Sequence, residues 1–128
     1  MAIERRLMQK LESWKSNPVR RALLLDGARQ VGKTYAVRAF AKSHYDSFLE
    51  VNFVETPGAR AIFDGDLDAE TIIMGLTAYS GTALVPGKTL VFFDEIQACP
   101  RARTAIKFLV DDGRFDYIES GSLLGVTC

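Results

Sequence analysis

No stretch of this chain restricts its fold as much as Ala22–Thr34, ALLLDGARQVGKT. An apolar run, Ala22-Leu23-Leu24-Leu25, leads into Gly27-Ala28-Arg29-Gln30-Val31-Gly32-Lys33-Thr34, which satisfies the phosphate-loop pattern GxxxxGK[ST] at every fixed position. A buried parallel strand that must end abruptly is served by Gly27, whose backbone reaches torsions that a side chain resists. The amides of the loop then form a nest for phosphate oxygens, and the positive end of the following helix faces the same anion. Gly32 lets the backbone approach closely, Lys33 offers a point charge to the β and γ phosphates, and the Thr34 hydroxyl suits a ligand of Mg²⁺. Both flanks meet the context that the pattern demands. Downstream, Tyr35-Ala36-Val37-Arg38-Ala39-Phe40-Ala41 places Val37, Phe40 and Ala41 at helical spacing. The nucleotide-binding stretch expected from the sequence is therefore Gly27, Ala28, Arg29, Gln30, Val31, Gly32, Lys33, Thr34 and Tyr35.

A chain of 128 residues, 48% of them apolar, fits a single domain over 1–128. Lys plus Arg (16) balances Asp plus Glu (16), so the overall charge advertises neither nucleic acid nor an anionic membrane. No basic stripe is interleaved with aromatic residues in the manner of a nucleic-acid surface. No apolar run approaches the roughly 20 residues of a membrane span, and MAIERRLMQKLESW lacks the apolar centre of a signal peptide, which predicts a cytoplasmic protein. Cys99 and Cys128 have no CxxC spacing and no nearby histidine, so free thiols are expected rather than a disulfide or a metal site.

Ile3, Leu7, Leu11 and Trp14 recur at helical spacing among charged residues and predict an amphipathic helix over residues 3–15, ended by Pro18. Its stripe either covers the sheet or, as the minority reading, docks a partner or contributes to a base pocket. Residues 48–54 alternate as a strand until Thr56-Pro57-Gly58. Asp68 is placed to cap a helix over 69–79 with Ile72, Ile73, Leu76 and Tyr79 on one face and Gly81 as terminator. The continuous apolar run 89–93 predicts a strand covered on both faces. A helix over 103–112, with Ile106, Leu109 and Val110 inward, and a strand over 115–119 complete the alternation. Strands alternating with helices predict an α/β fold: a three-layer α/β/α sandwich around a mainly parallel sheet of at least four strands. Ligands in such sheets bind beyond the carboxyl ends of the strands.

Asp94 and Glu95 end the buried run, 60 positions after Thr34, and so belong to that rim. Phosphate chemistry there needs one acid to hold Mg²⁺ and one to orient or deprotonate a water, which assigns Asp94 and Thr34 to the metal and Glu95 to the water. An N-cap or a solvated surface pair is the structural alternative. Two carboxylates at the end of a buried strand nevertheless cost desolvation unless a cation or donors satisfy them. Ser120, Gly121 and Ser122 reach the same rim, either to contact the γ phosphate or the water, or simply to close a turn. Asn52 and Gln97 are weaker candidates, and His44 reads as a solvated or helix-dipole histidine rather than a catalytic one.

GARQVGKT followed by VNF, LVFFDEIQACP and YIESGSLLGV resembles the N-terminal ATPase domain of the AAA-like bacterial and archaeal ATPases that carry a C-terminal DUF4143 region. The resemblance spans nearly the whole chain. It implies a P-loop NTPase of the additional-strand, catalytic-glutamate class that uses ATP and Mg²⁺. Gly27–Thr34 match the Walker A loop, Asp94 the Walker B aspartate, Glu95 the catalytic glutamate, Gln97 the glutamine of the DEIQ signature and Ser120 the sensor position. No NKxD guanine-reading sequence is present. Relatives continue into a fifth strand, a helical lid and a C-terminal part, so the chain ending at Cys128 is expected to be a fragment or a truncated product, with Arg101 and Arg103 as the available arginine-finger guesses. The expected function is ATP binding with Mg²⁺-dependent hydrolysis, an ATPase with Lys33, Glu95 and Ser120 at its catalytic centre, coupled to a conformational change in a protein partner or C-terminal domain. Oligomerisation fits this picture. The alternatives are a nucleotide-dependent interaction module without turnover and, more weakly, a P-loop kinase.

Overall fold

The computed structural model of the protein describes residues 2–26 and 32–121. Helix α1 (Ala2–Ser16) precedes strand β1 (Leu23–Asp26), then α2 (Lys33–His44), β2 (Ser47–Asn52), α3 (Ala69–Ser80), β3 (Thr89–Asp94), α4 (Pro100–Asp112) and β4 (Asp116–Gly121). Two 3₁₀ segments, Pro57–Phe63 and Ile96–Ala98, lie between them. The described strands form one all-parallel sheet in the order β1-β4-β3-β2, so the last strand is inserted between the first and the third.

The sheet buries two cores. On one face Leu25, Leu90, Phe92 and Ile118 meet Leu11 of α1 and Val37, Phe40 and Ala41 of α2. On the other Leu49, Val51, Val91, Phe93 and Tyr117 meet Ile72, Ile73 and Leu76 of α3 and Ala102, Ala105 and Leu109 of α4. All six residues of β3 are buried, as an apolar run covered from both sides requires. The stripe on α1 faces the sheet and α2: Leu11 is fully buried, Leu7 and Trp14 pack beside it, and the indole N–H of Trp14 donates to the Arg21 carbonyl at 2.6 Å. The side chain of Ile3 lies outside the described residues.

Several boundaries differ from the sequence expectation. β2 stops at Asn52 rather than 54, because the Asn52 Oδ1 accepts the amides of Val54 and Glu55, both at 2.9 Å, and turns the chain out of the sheet. Tyr79 is 40% exposed rather than inward. α4 begins at Pro100, three positions early, because a proline in the first turn lacks only an amide that has no helical partner anyway. Asp68 does cap α3, accepting the Thr71 amide at 3.0 Å, and Gly81 ends it with φ 72°.

Candidate functional site

Parallel strands in register bring their carboxyl ends to one rim, where Asp26 lies opposite Gly121 and Asn52 opposite Asp94. α2 starts at this rim. Gly32, just before it, has φ 89° and ψ −3°, a conformation that favours glycine, and its carbonyl accepts the Ala36 amide at 2.8 Å. The turn aims Lys33, the first helical residue, into the protein, where it is 3% exposed. Its Nζ stands 3.9 Å from Asp94 Oδ1, an ion pair too long to be a hydrogen bond. Among the described residues this ammonium has no hydrogen-bond partner. A buried cation left so incompletely satisfied is costly, and an anion with several acceptor oxygens is what would relieve it.

Asp94 is held from three directions. Its Oδ1 accepts the Ser120 hydroxyl at 3.1 Å and the Glu95 amide at 2.9 Å, and its Oδ2 accepts from Asn52 Nδ2 at a weaker 3.4 Å. The turn amides of Val54 and Glu55 hold the carbonyl end of the Asn52 side chain, which leaves its NH₂ facing Asp94. Glu95 has φ 55° and ψ 46° and is the only described non-glycine residue with positive φ. Its Oε1 accepts from Gln97 Nε2 at 2.8 Å. Ser120 is fully buried.

The two sequence motifs thus meet through Lys33 and Asp94, and Ser120 joins them. Gly27, Ala28, Arg29, Gln30 and Val31 lie outside the described residues, as do Ser122 and Cys128. Thr34 is half-buried at the start of α2, and Tyr35 is 65% exposed. His44 is spent on its own helix, with Nδ1 3.1 Å from the Phe40 carbonyl and its ring stacked on Phe40. Cys99 is a buried free thiol in the core under α4. Arg101, one of the two finger guesses, donates to the carbonyls of Phe63 and Gly65 at 2.5 and 2.7 Å and fastens the 3₁₀ segment to α4.

Sequence reasoning overlooked Glu119. This residue is 9% exposed, its Oε1 has no hydrogen-bond partner among the described residues, and burial pushes its carboxyl above the ordinary range, with the Arg103 charge pulling the other way. It follows Tyr117 by two and so shares the α3/α4 face, opposite Ser120. The visible signal was a glutamate directly after Tyr117-Ile118, the apolar pair of the strand.

Among the described residues no three His, Cys, Asp or Glu side chains gather as a self-sufficient metal site. A divalent ion at the rim would draw on Asp94, the Thr34 hydroxyl, phosphate oxygens and water, which is the oxygen-rich, partly hydrated donor set that Mg²⁺ prefers. The donors therefore fit that ion. A family model described as an AAA domain matches residues 19–127. The chain belongs to this AAA domain family. No curated protein matches the chain. As an AAA domain it is a member of a family of P-loop ATPases whose general properties are nucleotide binding, usually of ATP with Mg²⁺, and ATPase activity. The matched region begins after α1, although Leu11 makes that helix part of the AAA domain's core. No helix among the described residues is long and apolar enough to cross a membrane.

Proposed function

We propose that this AAA domain binds ATP with Mg²⁺ at the rim formed by Lys33, Asp94, Glu95 and Ser120, and hydrolyses its β–γ phosphoanhydride bond. The observation that carries the reading is the buried Lys33 ammonium, without a hydrogen-bond partner among the described residues and 3.9 Å from a fixed carboxylate. Lys33 would donate to oxygens of the β and γ phosphates, while the loop 27–32 and the first turn of α2 bind them with backbone amides. Asp94 and Thr34 would hold Mg²⁺, which neutralises phosphate charge as the bond breaks. Glu95 orients the attacking water and takes its proton as the water oxygen bonds to the γ phosphorus and the bridging oxygen leaves with ADP. Ser120, already bonded to Asp94, keeps that carboxylate turned toward the site. Tyr35, exposed one residue beyond Thr34, lies within the nucleotide-binding stretch.

Resemblance to ATPases with a C-terminal DUF4143 region supports coupling of this turnover to movement in an attached domain or a protein partner. Titration calorimetry and phosphate release test the site. Lys33→Ala is expected to abolish ATP binding, whereas Glu95→Gln retains binding and lowers turnover at least about 100-fold, the scale of a lost general base. Equal ATP affinity in Lys33→Ala and wild type would overturn the assignment. Binding without Glu95-dependent phosphate release would leave a nucleotide-dependent interaction module instead.

A further inference from the structure

Two consecutive carboxylates, the last residue of β3 and the one after it, are both reached by the two last residues of β4. Ser120 bonds Asp94 directly. Gly121 acts at one remove: a Cβ built on it would collide with the Oε1 of Gln97 and come within 3.3 Å of the Ile96 backbone nitrogen. The amide end of Gln97 therefore lies where any larger residue's side chain would begin, and from there its Nε2 donates to Glu95 Oε1 at 2.8 Å. Gly121 has no positive φ to explain it, so the glycine answers a demand for space rather than for backbone torsion. Glu95 itself sits in a left-handed turn between β3 and the 3₁₀ segment Ile96–Ala98, and the Gln97 contact is the hydrogen bond that holds its carboxylate among the described residues.

We propose that Gln97, seated in the space left by Gly121, is the positioning residue for Glu95: it binds one carboxylate oxygen and leaves the other to face the attacking water. The proposal rests on the hydrolysis reading above. It also ties the end of β4 to the water-activating group, because a shift of Gly121 moves the seat of the Gln97 amide.

The test combines steady-state phosphate release with the side-chain amide resonances of Gln97 in the nucleotide-free protein. Gln97→Met, which keeps length and removes the donor, Gln97→Ala and Gly121→Ala are each expected to lower kcat about tenfold or more, the value of one lost bond to a charged group, with ATP KM unchanged. The double variant Gln97→Ala/Gly121→Ala is expected to be no slower than Gln97→Ala, since both changes remove the same contact. The Gln97 NH₂ signals are expected to move in Gly121→Ala and in Glu95→Ala. Full kcat in Gln97→Met, multiplied losses in the double variant, or unmoved NH₂ signals in both of the last two variants would each overturn the proposal. Absence of Glu95-dependent turnover in wild type would instead sink the hydrolysis reading, and the amide signals would still decide whether Gln97 holds Glu95.

Discussion

Lys33 is expensive to the protein that carries it. Lys33 is 3% exposed and its ammonium has no hydrogen bond among the described residues, while the carboxylate it faces, Asp94, already has Ser120, Asn52 and the Glu95 amide as donors. Lys33→Met is therefore expected to leave the nucleotide-free protein as stable or stabilise it by about 1–3 kcal/mol, while removing any stabilisation by Mg²⁺-ATP. Urea unfolding with and without nucleotide measures both, and a less stable variant that still responds to ATP would contradict the account. Glu119 is a second residue held at a cost. Because burial raises its folded-state pKa above the ordinary glutamate value of about 4.3, the folded protein holds that proton more tightly than the unfolded chain does. This contribution is full below about pH 4.3 and is lost as pH rises through the raised folded value. Glu119→Gln should therefore be more stable than wild type at neutral pH by roughly 1–3 kcal/mol, with the advantage shrinking as the pH is lowered past the glutamate range. An advantage independent of pH in unfolding curves would rule this out.

Among the elements, α1 shows how far a core extends beyond a recognisable family signature. The matched region starts at residue 19, yet Leu11 is fully buried against α2 and the sheet face below the rim. Leu11→Ala is expected to cost about 2–5 kcal/mol, the range for a large-to-small change in a packed core, read as a fall in the thermal midpoint. A change near zero would mean that α1 is an appendage. The periodic elements were legible in the sequence because burial on one or both faces leaves a local pattern: the stripe of α1, the i, i+3, i+4 residues of α2, the unbroken run of β3. The segment Pro57–Phe63 was not, since Pro57-Gly58 reads as a simple turn and the burial of Ala59 and Phe63 depends on Phe93 and α4 from distant parts of the chain. The partners of Arg101 were illegible for the same reason, the carbonyls it meets lying 38 and 36 positions upstream.

For the molecule as a whole, the strand order decides which parts of the site could be foreseen. The residues proposed to answer a phosphate, such as Gly32, Lys33 and Thr34, follow one another in sequence, and the acidic pair stands at the end of its strand. The contacts that arrange them cross the sheet. Ser120 finds Asp94 because β4 is inserted beside β3, and Asn52 finds it because β2 pairs on the other side. Nothing in local patterning encodes those neighbours. The left-handed backbone at Glu95 carries a consequence for the protein's evolution under heat. For an L-residue that torsion costs about 1–2 kcal/mol, which glycine escapes. A library randomised at position 95 and screened solely for survival of heating should drift to glycine, with asparagine next, whereas selection for nucleotide turnover should return glutamate. If heating alone preserves the acid, its place there is owed to folding, and the trade between durability and work would vanish.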